Sequence, residues 1–310
     1  MTHAKRKYEQ LIKDLRADLR PQRTWGEGRG IFLVVGHFVV GIASGAWLFS
    51  LIFAQPAGLA AAFLLGMIGG LAHLGFLGRP SRFWRMVRQV RTSWVSRGFV
   101  GLSLFLAGAP LYLAPIYLPG VLWDAGSLAA TVGYGAALTG MVVLMGYMGF
   151  VYTSSKAIPF WNSPLHPALY VAYSLRGGVA ALFVTASLVG SAGELPAILL
   201  PLWGGITGVV ILLFGLEIHG ALTSGNEAAR RSVHELLAGR VSGYFYVGTL
   251  ALGLLVPAYL MFSGLSGTLS IGTMALLGVT SAVGDFFMKL STLRAGVFLP
   301  VWTPISPQRR

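Results

Sequence analysis

The chain has 310 residues, of which 55% are hydrophobic and only 11% are charged, and its mean hydropathy is +0.71. A soluble domain would carry about a quarter charged residues, so the composition excludes an ordinary soluble protein and indicates membrane spans. The net charge of +13 does not indicate nucleic acid, because the basic residues cluster between apolar runs, where they meet anionic lipid. Without cysteine, the chain can form neither a disulfide nor an Fe–S cluster on its own sulfurs.

Residues 1–30 are polar and basic, and we expect them to form a cytoplasmic amphipathic segment. Within Lys7–Leu19, apolar residues recur at roughly helical spacing, at Tyr8, Leu11, Leu15 and Leu19. This pattern is typical of a helix that lies on the membrane surface, and docking to a partner is the alternative. No small-residue cleavage pattern follows the first apolar run, so we expect that run to remain as a span.

Eight apolar runs follow, each near the roughly 20 residues that a bilayer requires. They are Ile31–Phe53, Ala57–Leu77, Gly98–Leu118, Ala125–Gly149, Leu169–Val189, Leu195–Leu216, Gly243–Phe262 and Leu265–Phe287. We therefore predict an all-α integral membrane protein of eight transmembrane helices, arranged as two four-helix bundles. We expect a cytoplasmic N-terminal segment at 1–30, a membrane domain at 31–289 and a cytoplasmic C-terminal tail at 290–310.

The distribution of charge predicts the orientation of these spans. In an eight-span chain, three wide connections face the same side as both termini: 78–97, 150–168 and 217–242. Of the 23 lysines and arginines, eight lie in the N-terminal segment and six in the first wide connection, and none lies in the opposite loops. Those loops carry only Asp124 and Glu194. The positive-inside rule therefore predicts that both termini are cytoplasmic.

Two histidines inside the spans are the first candidates for chemistry, because ionisable groups in a membrane are costly and tend to be functional. His37 continues a stripe with Gly41 and Ser44, and His73 continues one with Gly66 and Gly70. Small residues at this spacing let helices approach closely, so both imidazoles are expected to face the bundle interior at similar depth. The alternative is that each histidine only bonds a neighbouring helix.

Two further charges lie inside later spans, and both have a simpler explanation. Arg176 could extend its side chain to the cytoplasmic headgroups, and Asp285 could form an interfacial ion pair with Lys289, four residues on. Glu217 and His219 are expected to be solvated at the end of the sixth span. Since the polar residues gather in the cytoplasmic half, the pattern favours one pocket for a lipid-soluble ligand that exchanges protons with one side.

The most specific stretch lies between the second and third spans. It contains His73-Leu74-Gly75, then Arg79-Pro80-Ser81-Arg82, then Ser93-Trp94-Val95-Ser96-Arg97, and a later segment begins Tyr152-Thr153-Ser154. In the order and placement of these segments, the chain resembles the membrane anchor subunits of molybdopterin oxidoreductases, the NrfD, polysulfide reductase and DMSO reductase anchor family. The resemblance covers most of residues 25–190.

The resemblance implies a quinone-reactive subunit in a prokaryotic cytoplasmic (inner) membrane, of the kind used in anaerobic respiration. Its substrate would be menaquinone or ubiquinone, with no haem, Fe–S cluster or other metal site in this chain. A four-cluster Fe–S subunit would carry electrons to or from a molybdopterin catalytic subunit. We expect these partners on the cytoplasmic face, beside the basic loops.

The resemblance also implies roles for particular residues. His73 would hydrogen-bond quinone or transfer its protons, with His37 nearby, and Tyr152 would contact the other carbonyl of the ring. Four residues would lie at the mouth of the site or dock the Fe–S partner: Arg79, Arg82, Arg85 and Trp94. A histidine whose pKa is near neutral can relay protons, and a rim of cationic side chains stabilises a reduced quinone anion.

Two other functions remain open. In a b-type cytochrome, His37 and His73 would clamp one haem iron. In a transporter or ion-translocating module, Arg176 and Asp285 would be pathway charges. The sequence lacks the paired broken helices typical of transporters, and the outer half of its spans is nearly free of polar residues.

Overall fold

The computed structural model describes residues 3–190, 195–265 and 269–300, which are almost entirely helical. The α-helices are α1 (His3–Arg16), α2 (Gly30–Ile52), α3 (Pro56–Phe76), α4 (Trp94–Tyr117), α5 (Leu128–Thr153), α6 (His166–Leu188), α7 (Leu195–Thr223), α8 (Glu227–Leu237), α9 (Val256–Leu265) and α10 (Ile271–Ala295). A 3₁₀-helix, Pro80–Gln89, precedes α4, and a π-helix, Tyr244–Leu255, runs into α9. Within the described ranges, the only β-pairing is an isolated bridge between Pro21 and Val297.

Eight of these helices, counting the π-helix and α9 as one, are long and apolar enough to cross a membrane. The prediction of an all-α membrane protein with eight spans is confirmed. Most span ends agree with the sequence to within a few residues, and three differ: the end of the sixth span and both ends of the eighth, which runs to Ala295 and not to the predicted Phe287. The sixth span continues to Thr223 and ends just before Gly225, whose φ of 73° lies in the left-handed region that a helix does not continue through. The eighth begins at Ile271, where the Ser270 side chain caps the helix by accepting a hydrogen bond from the Thr273 N–H.

Helices α2 and α6 lie at the centre of the protein. Helix α2 packs against α3, α5, α6 and α10, and α6 also packs against α7. The two central helices meet where Gly45 faces Gly178, and a Cβ atom on either glycine would overlap the other backbone. The grouping of the spans into two four-helix bundles stays a prediction.

Small residues also set the packing of the outer helices. Helices α4 and α5 are in close contact, where Gly140 faces the backbone of Gly101. The π-helix meets α10 at Gly253 and Gly284, whose Cα atoms leave no room for a side chain. Without a hydrophobic force between helices in lipid, this close van der Waals contact is a main source of association.

The N-terminal segment and the chain after α10 are bound together on one face of the helices. The Gln22 N–H donates to the Gly296 carbonyl at 2.8 Å, and the Phe298 N–H donates to the Arg20 carbonyl at 2.9 Å. The Leu299 N–H donates to the Ala157 carbonyl in the connection after α5. We call this end of the molecule the basic face: the segments 17–29, 78–93, 154–165, 224–243 and 296–300.

Asp14 of α1 forms an ion pair with Arg23 of the basic face. Partial burial would raise the pKa of Asp14, but hydrogen bonds from Arg23 and Gln10 outweigh burial, so the pKa is lowered. The cytoplasmic location of this face stays a prediction, as do the limits of the N-terminal segment, membrane domain and tail. Glu194, Arg309 and Arg310, with the rest of 301–310, lie outside the described residues.

The contact between α2 and α6 gives a stability prediction. We expect Gly178→Val to lower the melting temperature in detergent by several degrees or to prevent folding, because overpacking a tight contact costs about 1–3 kcal/mol or more. The matched control is Gly205→Val in α7, where an added Cβ would contact nothing within 4 Å. Equal melting temperatures for the two variants would contradict this packing.

Candidate functional site

A cavity of about 460 Å³ lies among α2, α3, α4, α5 and the 3₁₀-helix. Its lining is mostly apolar, with polar atoms from His37, His73 and Tyr147. Two lining residues of α3, Met67 and Leu71, are also on the outer surface, and Leu71 is 68% exposed. Because the outer surface of a spanning helix faces lipid, we expect the cavity to open toward the bilayer between α3 and α4.

His73 is held in the cavity wall by hydrogen bonds at both ring nitrogens. Its Nδ1 lies 2.7 Å from the Gly69 carbonyl, and its Nε2 lies 2.9 Å from the Tyr147 hydroxyl. A carbonyl can only accept, so Nδ1 carries a hydrogen, and in the neutral ring Nε2 accepts from Tyr147. When His73 is protonated, Nε2 instead donates to the Tyr147 oxygen. The His73–Tyr147 pair can therefore hold or release one proton at the cavity wall.

Two glycines make this arrangement possible. A Cβ on Gly36 would lie 2.6 Å from His73 Nδ1, so only glycine lets the imidazole lie against α2. A Cβ on Gly98 would overlap the ring of Tyr147 in the same way. Tyr147 did not emerge from the sequence, and its only signal is a tyrosine beside Gly146 near the end of an apolar span.

His37 lies beside His73, with 5.1 Å between ring centroids, as the expectation of two interior imidazoles at similar depth requires. His37 is buried, and its Nδ1 is hydrogen-bonded to the Tyr152 hydroxyl. Tyr152 is fully buried behind His37 and does not line the cavity. The structure thus brings the three predicted residues His37, His73 and Tyr152 together. His37 lies between Tyr152 and the cavity, so Tyr152 does not contact the ligand space.

The N-terminal segment supplies a further residue that the sequence did not indicate. Trp25 lines the cavity, and its ring lies 5.7 Å from Tyr152 and 5.5 Å from Trp161. A lone tryptophan five residues before α2 has no local pattern that would reveal this contact. The segment before the first span is therefore part of the site.

The four residues predicted for the mouth lie outside the cavity lining. The 3₁₀-helix contributes Phe83 and Met86 to the lining, whereas Arg79, Arg82 and Arg85 are exposed on the same segment. Trp94 stacks on Phe150 at 4.2 Å and lines a separate groove of about 270 Å³. A role at the mouth or in docking stays a proposal for these residues.

The expectations for Arg176 and Asp285 need correction. Arg176 is only 4% exposed, so it does not extend to the headgroups. Its guanidinium forms an ion pair with Asp285 and donates to the Thr207 hydroxyl at 2.9 Å. Among the described ion pairs Asp285 has no contact with Lys289, because the arginine of a neighbouring helix satisfies its carboxylate. Lys289 is buried instead over the ring of Tyr170, at 5.4 Å from its centroid.

The expectation for Glu217 is also wrong. Because α7 runs six residues beyond it, Glu217 is inside the protein and only 3% exposed. Its Oε1 lies 2.8 Å from Nδ1 of His166, the first residue of α6, which is fully buried. His219 is exposed, as expected. The sequence missed His166 because it precedes the apolar run that marked the span.

The geometry does not fit a haem clamped by His37 and His73. Two axial ligands must face each other across the porphyrin plane, each with a free ring nitrogen. Here the two rings are in contact and tilted by 50°, and both nitrogens of His73 are bonded within the protein. Both histidines bond a tyrosine of the neighbouring helix α5, which was the simpler alternative, and both also line the cavity.

Comparison with known proteins places these features in a family. The family model described as "Polysulphide reductase, NrfD" matches residues 23–300. The chain is 27% identical to "Protein NrfD" of Escherichia coli (strain K12) over 253 residues, which cover 70% of this chain and 76% of that protein. It is also 27% identical to "Protein NrfD homolog" of Haemophilus influenzae (strain ATCC 51907 / DSM 11121 / KW20 / Rd) over 163 residues, covering 50% and 49% of the two chains.

The ion pair between Arg176 and Asp285 generates a stability prediction. We expect Asp285→Asn to destabilise the protein by about 3–5 kcal/mol, because it leaves a buried guanidinium without its counter-charge. Asp124→Asn, at an exposed loop position, should have no effect. Thermal unfolding in detergent measures both variants, and an unchanged melting temperature for Asp285→Asn would show that the pair does not stabilise the fold.

Proposed function

Since the chain belongs to the NrfD, or polysulphide reductase, family, we propose that it is the quinone-reactive membrane subunit of an oxidoreductase complex. The observation that carries this proposal is the apolar cavity with the His73–Tyr147 pair in its wall. The substrate would be menaquinone or ubiquinone, taken from a prokaryotic cytoplasmic membrane.

The cavity suits the chemistry of a quinone. Its volume of about 460 Å³ falls in the range of about 300–1,000 Å³ typical of small-molecule sites. The apolar lining suits a quinone ring and the start of its isoprenoid tail, and the gap between α3 and α4 lets the tail remain in lipid. A quinone carbonyl accepts hydrogen bonds, and when a protonated His73 donates from Nε2 to Tyr147, the Tyr147 hydroxyl is free to donate to that carbonyl.

The two groups in the wall divide the work of the reaction. Reduction of a quinone takes up two electrons and two protons, so the site must deliver protons as electrons arrive. A histidine ring can take up and release a proton at a ring nitrogen, and His73 can hold one at Nε2. Its bond to the Gly69 carbonyl fixes the ring, so that the proton is exchanged only at the Nε2 side. The Tyr147 hydroxyl accepts the hydrogen bond from Nε2, which leaves its own hydrogen free to be donated towards the cavity.

Electrons would come from, or go to, an Fe–S partner subunit that serves a molybdopterin catalytic subunit. We place the docking site at the 3₁₀-helix Pro80–Gln89, because one face of this helix is exposed and basic while Phe83 and Met86 contact the cavity. A partner bound there would lie close to the quinone, as short electron-transfer distances require. The cationic side chains would also attract an acidic partner surface.

A transporter remains the weaker alternative. The buried Arg176 and Asp285 neutralise each other, and Arg176 is further bonded to Thr207 and the Gly253 carbonyl. A substrate pathway would need polar groups that continue toward the opposite face. Among the described buried charges of the spans, Glu217 and Lys289 lie in the halves nearest the basic face, and Arg176 and Asp285 lie near the middle of their helices.

Substitution of His73 tests the proposed site. We expect His73→Ala to lower quinol-linked electron transfer of the purified complex by about 10²–10⁴-fold, the range for loss of an acid–base group, while the complex still assembles. His219→Ala, at an exposed histidine of α7, is the matched control. Turnover at the level of the unsubstituted protein in His73→Ala would remove this residue from the site.

Charge reversal tests the docking surface. We expect the double variant Arg82→Glu, Arg85→Glu to release the Fe–S partner from membranes, because it turns attraction into repulsion. The control is Lys13→Glu with Arg16→Glu, an equal change of charge on exposed residues of α1. Retention of the partner by the first variant, or its loss from both, would count against docking at the 3₁₀-helix.

A further inference from the structure

Behind the cavity lies a second group of polar side chains that the proposed site does not use. His166, Tyr170 and Glu217 are each buried, and each has one polar atom without a hydrogen-bond partner among the described residues: His166 Nε2, the Tyr170 hydroxyl and Glu217 Oε2. Leaving such atoms unsatisfied in an apolar interior is costly, which suggests that they serve a function.

We propose that His37, Tyr152, His166 and Glu217 form a proton relay between the cavity and the basic face, with Glu217 as its outer carrier. The proposal rests on the proposed function, because the relay would serve the protons of a quinone in the cavity. It assigns a role to His166 and Glu217, which do not line the cavity. Glu217 would act through its neighbours and would not touch the quinone.

The first link joins the cavity to the protein interior. His37 lines the cavity and is hydrogen-bonded through Nδ1 to the Tyr152 hydroxyl. A hydroxyl both donates and accepts, so a proton that reaches one side of Tyr152 can leave from the other. His37 and Tyr152 therefore connect the ligand space to residues buried behind it.

The second link crosses from Tyr152 to the buried pair. The ring of Tyr152 lies 5.9 Å from that of His166 and 5.3 Å from that of Tyr170, and the latter two rings lie 4.9 Å apart. The unpartnered His166 Nε2 and Tyr170 hydroxyl are the groups available to bridge this step. No other element separates Tyr152 from His166, since their rings are in edge contact.

The third link is a histidine arranged to pass a proton through its ring. When Glu217 is ionised, His166 Nδ1–H donates to Oε1 at 2.8 Å, which leaves Nε2 as a free acceptor on the other side of the ring. A proton arriving at Nε2 can then be matched by one leaving Nδ1 for Glu217. The reverse sequence carries a proton inward.

The outer end of the relay lies toward the basic face. Glu217 lies six residues before the end of α7, or about 9 Å along the helix axis. His166 begins α6, and the connection that precedes it belongs to the basic face. The relay therefore leads to the face where we place the partner subunit.

The charges around the relay favour a transient proton. The buried charged residues of the described spans are two cations, Arg176 and Lys289, and two anions, Glu217 and Asp285. With neutral histidines and an ionised Glu217, the interior has no net charge. An added proton gives the interior a net positive charge near the cation Lys289, which is unfavourable. The proton is therefore held only briefly, until a quinone that has gained an electron accepts it. Each quinone would take two protons by this route and two electrons from the Fe–S partner.

Infrared difference spectroscopy on the full chain tests the relay directly. The purified protein, loaded with decylubiquinone, is reduced and reoxidised electrochemically, and the difference spectrum is recorded for the unsubstituted protein and for Glu217→Gln. We expect a carboxyl band that changes with the redox state of the quinone and is absent in Glu217→Gln. In the purified complex, the same variant should lower quinol-linked turnover by about 10²-fold or more.

The controls separate the relay from the proposed function and from a loss of folding. Glu227→Gln, at an exposed glutamate of α8, should retain the band, and Glu217→Asp should shift it and restore part of the turnover. Quinone bands without a carboxyl band, or a carboxyl band that persists in Glu217→Gln, would overturn the relay alone. Absence of quinone bands in the unsubstituted protein would overturn the proposed function, and the relay with it.

Discussion

The packing of α2 against its neighbours is the constraint on which the rest of the structure depends. Three glycines of this helix, Gly36, Gly41 and Gly45, each lie where a Cβ atom would meet another helix or its side chains within about 3 Å or less. Gly36 faces His73, Gly41 faces Lys289, and Gly45 faces the backbone of α6. One stripe of small residues on α2 thus contacts the cavity wall at His73, the buried Lys289 and the central helix α6.

This stripe decides where polar groups can be buried. In lipid, a polar side chain is tolerated only against a partner, so helices that approach closely on small residues also bring distant polar groups together. Arg176 and Asp285 are 109 residues apart and form an ion pair, and His166 and Glu217 are 51 residues apart and form a hydrogen bond. Of the ten buried side-chain polar atoms without a hydrogen-bond partner among the described residues, three belong to the group of His166, Tyr170 and Glu217 behind the cavity.

The sequence predicted what depends on local pattern. Bilayer thickness sets the length of an apolar run, so the eight spans could be identified, and small-residue stripes correctly indicated that His37 and His73 face inward. Pairings between non-adjacent helices could not be read in this way. The expected ion pair of Asp285 with Lys289 follows the local i, i+4 rule, but the arginine of α6 is a better-placed partner and determines the outcome. Tyr147 and Trp25 enter the site through tertiary packing alone.

The one-sided distribution of charge now has a second consequence beyond orientation. The cavity, the proposed relay and the exposed arginines of the 3₁₀-helix all lie in the part of the protein nearest the basic face. If electrons enter there through a partner and protons enter there through Glu217, both arrive at the quinone from the same side, and the reaction moves no net charge across the bilayer. A proton pump would need a comparable chain of polar groups toward the opposite face. Within the described spans, the buried ion pair of Arg176 and Asp285 lies near the middle of its helices, and its further hydrogen bonds are to Thr207, Ser281 and Gly253 and not to the relay.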